Sequence, residues 1–215
     1  MVGSRANRAG VPLTGAHQET RGNQQRPMDA KRVNSDTVIA QTRHVRLVDR
    51  DGWSFAQRIG NFGIVCIVAA TADRRLVLVE QYRPPVRQPV IELPAGLAGD
   101  LTGQADETLQ QAAERELLEE TGYVARDWRE LVTVTSSPGM TDEVVTFFLA
   151  DHLEKQTCGG GDASEDIHVH EIPLSTIACW LDACASNGKL IDARVYAGLY
   201  LLANRGKLPQ GNCRP

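Results

Sequence analysis

The rhythm of apolar and polar positions changes several times along this chain, and each change marks an element. The first 35 residues are rich in Arg, Gly, Gln, Asn and Pro and almost free of large apolar side chains. Such a stretch buries too little to repay its ordering, so residues 1–36 are expected to be a disordered tail before a domain spanning 37–215. Pro12, Pro27 and several glycines spoil any amphipathic targeting helix there, and Met28 is a second possible start. Beyond the tail, Thr37–Val48 and Trp53–Arg58 flank Asp49-Arg50-Asp51-Gly52 and predict a β-hairpin. Gly63–Thr71 and Leu76–Tyr82 are apolar, β-branched runs joined by Ala72-Asp73-Arg74-Arg75, which predicts a second hairpin. Val90–Leu93 reads as a short strand entering Pro94-Ala95-Gly96.

The period then switches. Leu109, Ala112, Ala113 and Leu117 recur at helical spacing. Thr108 and Gln111 are placed for a capping box, and Gly122 suits the left-handed residue that closes a helix. Strands are expected at Glu130–Thr135, Val144–Ala150 and His168–Ile172, with Gly159-Gly160-Gly161 as a loop before the last of these. Helices at Ser175–Ala185 and Asp192–Asn204 follow. Strands, one central helix, more strands and closing helices predict an α+β fold, a mixed sheet held between helical layers.

Composition narrows the function. A chain of 215 residues that is 42% hydrophobic can bury a real core. A net charge of −4 argues against a general binder of nucleic acid or anionic membrane. No apolar run approaches a membrane span. The five cysteines are scattered without a C-x-x-C pair, so neither a disulfide framework nor a zinc site is indicated, and a cytoplasmic location is the default.

The chemistry concentrates on the central helix. Glu116, Glu119 and Glu120 are three and four residues apart, so their carboxylates emerge on one face of its last turn. That turn already carries partial negative charge, and clustered carboxylates there cost stability. A hard cation such as Mg²⁺ seated among them accounts for the arrangement.

From Glu107 onward the order of residues, Glu, seven residues, Arg115-Glu116, Leu117, then Glu119-Glu120, Gly122 and Tyr123, resembles the Nudix box. The box glycine would fall at Leu101, whereas Pro94-Ala95-Gly96 lies further back, so the intervening loop is about five residues longer, a cheap insertion. The resemblance covers about residues 37 to 205. It extends towards the ADP-ribose pyrophosphatases and related nucleoside-diphosphate-sugar hydrolases through three segments. These are Glu80-Gln81-Tyr82-Arg83 with Ile91-Glu92-Leu93-Pro94-Ala95-Gly96, then Ser137-Pro138-Gly139-Met140-Thr141-Asp142-Glu143, and Trp53 with Arg58. Ser54 stands where an acidic residue often follows that tryptophan.

The resemblance implies a Nudix fold with an amino-terminal β-hairpin and metal-assisted attack of water on a pyrophosphate. It implies Mg²⁺, with Mn²⁺ possible, held by Glu116, Glu120 and the carbonyl of Ala95, with Glu119 as a further ligand or orienting group. Arg115 would pair with Glu107 to fix the helix face. Glu143 would be the general base, with Glu119 next in line. Trp53, Arg58, Arg83 and Glu92 would bind substrate, and the hairpin would pack against a second copy in a homodimer. Competing readings keep the fold and change the substrate, to a dinucleoside polyphosphate or damaged nucleotide, or make the chain a non-catalytic nucleotide sensor. A purely structural protein is weighed against by the uninterrupted glutamates.

Overall fold

A computed structural model describes residues 36–60, 63–99, 106–161 and 166–204. Residues 1–35 of the expected tail, Met28 among them, lie outside these residues, as does the stretch 100–105 in which the longer loop falls; Asp36 is described and pairs with Arg50 at 2.6 Å.

Three sheets and three helices are described. The first sheet is antiparallel and runs β1 (Thr37–Gln41), β2 (Val45–Arg50), β3 (Trp53–Arg58). The expected amino-terminal hairpin is therefore a three-stranded meander. Thr37–Val48 alternates well enough to read as one strand, but Thr42 breaks it. Its hydroxyl donates to the carbonyl of Val45 at 2.9 Å and accepts the Val45 amide at 3.1 Å, which closes a tight turn.

The second sheet has the order β10 (His168–Pro173), β5 (Arg75–Arg83), β6 (Gln88–Glu92), β11 (Leu190–Ile191). The third has the order β7 (Ala95–Ala98), β4 (Gly63–Ala69), β9 (Val144–Lys155), β8 (Tyr123–Thr135). The pairs β4–β9 and β6–β11 are parallel and all other pairs are antiparallel, so the sheets are mixed as expected.

Alternation along the strands explains the layering. Val65, Ile67, Phe148 and Ala150 turn to one side and pack on Ala112, Ala113 and Leu117 of α1 (Leu109–Thr121). Cys66, Val68, Phe147 and Leu149 turn to the other and pack with Ile177 and Leu181 of α2 (Ile177–Ser186) and Val195 and Leu201 of α3 (Ala193–Ala203). Both faces are covered, which is why β4 and β9 read as continuous apolar runs.

Two strands escape the apolar pattern. β7 is Ala-Gly-Leu-Ala, with no β-branched residue to mark it, and its strand form comes from pairing with β4 from Gly63↔Ala98 to Cys66↔Ala95. β11 is a two-residue pairing with β6. The strand expected from Glu130 begins instead at Tyr123, because exposed Arg126, Asp127 and Arg129 hide its first half, and its register shifts between Glu130 and Val132.

Candidate active site

Helix α1 is fixed at both ends. The Thr108 hydroxyl accepts the Gln111 amide at 3.2 Å while the Gln111 side chain accepts the Thr108 amide at 2.9 Å. At the other end Gly122 sits at φ +74° and its amide returns to the Leu118 carbonyl. The glycine-rich loop then folds over this end. Gly160 N–H donates to the Glu120 carbonyl at 2.9 Å, and Gly161 N–H to the Glu119 carbonyl at 3.0 Å. The approach is close enough that a Cβ on Gly122 would stand 2.1 Å from the Thr157 carbonyl oxygen.

Between those ends the helix presents Glu116 and the buried Glu120 to a cavity of about 670 Å³, whose wall also includes Ala95 and Gly96 of β7. The Ala95 amide donates to Glu120 at 3.1 Å. Gly96 leaves the room that Glu116 occupies, since a Cβ there would lie 2.0 Å from its carboxyl group. Glu119 is placed differently. Its side chain is 45% exposed, bonds to Arg115 at 3.1 Å and is not part of the cavity wall. Among the described residues no three His, Cys, Asp or Glu side chains form a group able to hold a metal. On the α1 side the carboxylates facing the cavity are those of Glu116 and Glu120, a hard donor set that fits a hard divalent cation.

Arg115 organises the same face from behind. It donates to Glu107 at 3.0 and 3.2 Å, to Glu116 at 2.8 Å and to the Leu97 carbonyl at 2.8 Å. The Glu107 carboxyl is held below its ordinary range by Arg115 first, and by the Gly99 amide. Burial would lower Arg115, but Glu107, Glu116 and Glu119 outweigh it and raise its pKa.

Glu143 reaches the cavity from the loop joining β8 to β9, and that loop is docked along β3. Ala56 N–H donates to the Met140 carbonyl at 2.8 Å, the Trp53 indole donates to the Gly139 carbonyl at 3.4 Å, and the Gln57 amide donates to the Asp142 carboxylate. Arg58 completes the series, meeting Glu143 through Nε at 2.9 Å and Nη2 at 2.7 Å. Arg58 and Glu143 both line the cavity, whereas Trp53, 63% exposed, does not.

Also lining the cavity, Arg83 grips the buried Glu92 through Nε at 2.9 Å and Nη2 at 2.5 Å. Beside it stand Asp192 and Arg194 at the start of α3, which the sequence reading passed over. Asp192 was legible as a helix cap. Nothing in the local pattern said that the capped end faces the cavity, because Arg83 and Arg194 are brought together only by the sheet.

The NUDIX domain family matches residues 61–182, and the chain belongs to that family. It is 34% identical over 116 residues to an ADP-ribose pyrophosphatase of Bacillus subtilis, an alignment covering 52% of this chain and 58% of that protein. The chain thus spans little more than half the length of that relative. It is 30% identical over 159 residues to a GDP-mannose pyrophosphatase of Citrobacter koseri, covering 68% of this chain and 71% of the relative. A crystal structure described as that of an ADP compounds hydrolase shares the fold, with a TM-score of 0.63 at 22% identity, covering 80% of this chain and 91% of the other.

Proposed function

We propose that this protein hydrolyses the pyrophosphate bond of a nucleoside diphosphate linked to another moiety, with ADP-ribose or a nucleotide sugar as substrate. The observation that carries the reading is a single cavity with Glu116, Glu120 and Ala95 on one wall, Arg83 on another and Glu143 at its side. The relatives named for ADP-ribose and GDP-mannose pyrophosphatase activity support the substrate class.

Glu116 and Glu120, with the Ala95 carbonyl, would hold Mg²⁺ or Mn²⁺, which supplies neutralisation of the diphosphate and activation of water. Arg115 holds Glu116 in place, a positioning task. Arg83 and Arg58 bind the phosphate oxygens, with Glu92 fixing Arg83 in orientation. Glu143 takes a proton from the attacking water as the water oxygen bonds to phosphorus. The bridging P–O bond breaks, and two monophosphates leave.

Trp53 supplies a base-stacking surface, and its place outside the cavity fits a homodimer in which the amino-terminal sheet meets a second copy. Val45 and Leu47, which share one face of β2, are both at least 40% exposed, an apolar surface suited to burial between subunits. We place the enzyme in the cytoplasm. Among the described residues no helix is long and apolar enough to cross a membrane.

The test is a phosphate-release screen of ADP-ribose, GDP-mannose and related compounds with Mg²⁺ or Mn²⁺, coupled to a phosphatase that acts on the monophosphate products. Turnover of at least one is expected. No metal-dependent turnover of any would refute the reading.

A further inference from the structure

Two arginines on the cavity wall are each held by a carboxylate. Arg83 uses Nε and Nη2 to grip the two oxygens of Glu92, and Arg194 uses Nε at 3.0 Å and Nη2 at 2.5 Å on the Oδ2 of Asp192. Among the described residues neither guanidinium makes a further side-chain hydrogen bond, so the Nη1 donors of both remain for a ligand. Arg83 lies near enough to Arg194 to feel its charge, and near enough to Glu120 to feel that one too. Glu92 and Asp192 balance the charge of the pair, which lets two guanidiniums share one stretch of cavity wall.

The bland explanation is that Arg194 merely secures the start of α3. That end is secured without it. The Asp192 carboxylate accepts the backbone amide of Arg194 at 2.7 Å, and the Asp192 amide donates to the Ile91 carbonyl at 2.9 Å. The guanidinium meets the other carboxylate oxygen, Oδ2, which the cap itself does not use. What it adds is a rigid second fork on the cavity wall, preorganised by a carboxylate as binding sites for planar or tetrahedral oxyanions are.

We propose that Arg194 is a substrate-binding residue which, with Arg83, forms a phosphoryl subsite for the phosphate more distant from Glu116 and Glu120. This rests on the hydrolase reading and adds a residue and a division of labour to it. The carboxylate wall takes one phosphate of the diphosphate and the arginine wall takes the other. After cleavage the monophosphate on the arginine wall has its charge matched without any contribution from the carboxylates. The subsite should therefore bind a free phosphate group with divalent metal removed.

The experiment uses the full chain in EDTA, with inorganic phosphate and AMP as probes in titration calorimetry, beside steady-state kinetics in Mg²⁺. Wild type is expected to bind at least one probe in EDTA. Arg194→Gln is expected to weaken that binding, and to raise KM, by about 10- to 100-fold, with kcat changed much less, the loss expected for a charge-assisted hydrogen bond to substrate. Arg194→Lys, which keeps the charge but not the fork, should recover part of the loss. Should Arg194→Gln misfold because Asp192 is left unpaired, the double variant D192N/R194Q removes both charges and is read in the same way. Unchanged probe affinity and KM in a folded variant, or no probe binding by wild type in EDTA, would overturn the proposal. Wild type that binds the probes through Arg194 yet turns over no diphosphate would support the subsite while removing the hydrolase reading.

Discussion

Arg58 Nη2 stands 2.7 Å from a carboxylate oxygen of Glu143, so the residue proposed as general base is already engaged by a cation. A substrate phosphate that draws on Arg58 would loosen the pair and leave Glu143 to the water. In Glu143→Gln the amide still accepts from Arg58 but takes no proton. We expect kcat to fall roughly 10²–10⁴-fold with little change in KM, and the acidic limb of the kcat profile to disappear. Wild-type turnover with that limb intact would move the role elsewhere, to Glu119 first.

Glu120→Gln should abolish turnover while leaving the fold intact, since it removes one charge from a crowded helix end and can still accept the Ala95 amide. The thermal stabilisation that Mg²⁺ gives wild type should vanish with it. Melting curves with and without metal check this directly, and an equal metal-induced shift in the mutant would displace Glu120 from the ligand set.

Gly96→Ala tests how closely the strand and helix are matched. The new Cβ would displace the Glu116 carboxyl group, 2.0 Å away, or push β7 back. The expected cost in denaturant unfolding is about 1–3 kcal/mol. The Mg²⁺ concentration needed for half-maximal activity should rise as well, and an unchanged requirement would mean that Glu116 plays no part in holding metal.

Acid stability should trace partly to Glu80. Burial works to raise its pKa, but hydrogen bonds from Lys189 at 2.7 Å and His170 at 2.8 Å outweigh it, and the carboxyl is held below its ordinary value of 4.5. A depressed folded pKa means stability that is present above the unfolded value and lost as pH falls through the folded one. Denaturant midpoints should therefore decline below about pH 4.5 in wild type, and less steeply in Glu80→Gln. Parallel curves would discount the carboxylate.

Assembly is checked by light scattering at micromolar concentration, where the mass of two chains is expected. Leu47→Asp, on the exposed face of the amino-terminal sheet, should shift it towards one. A wild-type mass of a single chain would remove the homodimer.

The helix was legible because its signals are local. Thr108, Gln111, the apolar spacing and Gly122 each state their role within a turn of the chain. The same holds for Glu116 and Glu120, whose spacing alone sets them side by side. Glu119 shows the limit of spacing, since Arg115 draws it away from the cavity that its neighbours face. β7 was hidden because Ala-Gly-Leu-Ala takes its form from β4 rather than from propensity. Trp53 was readable as a residue of interest, but not as one outside the pocket of its own chain, and Arg194 became visible only once α3 was set against β5 and β6.

The loop over the end of α1 bears on how the protein is made. The carbonyls of Glu119 and Glu120 are satisfied by Gly160 and Gly161, which follow β8 and β9 in the chain. A nascent chain therefore exposes the proposed metal-binding helix two strands before the residues that close it. A chain ending between Gly122 and Gly159 would keep every box glutamate and the Gly122 cap but lose the two amides that cover the Glu119 and Glu120 carbonyls. The closing of this helix therefore draws on glycines that stand two strands later in the chain than the glutamates they cover.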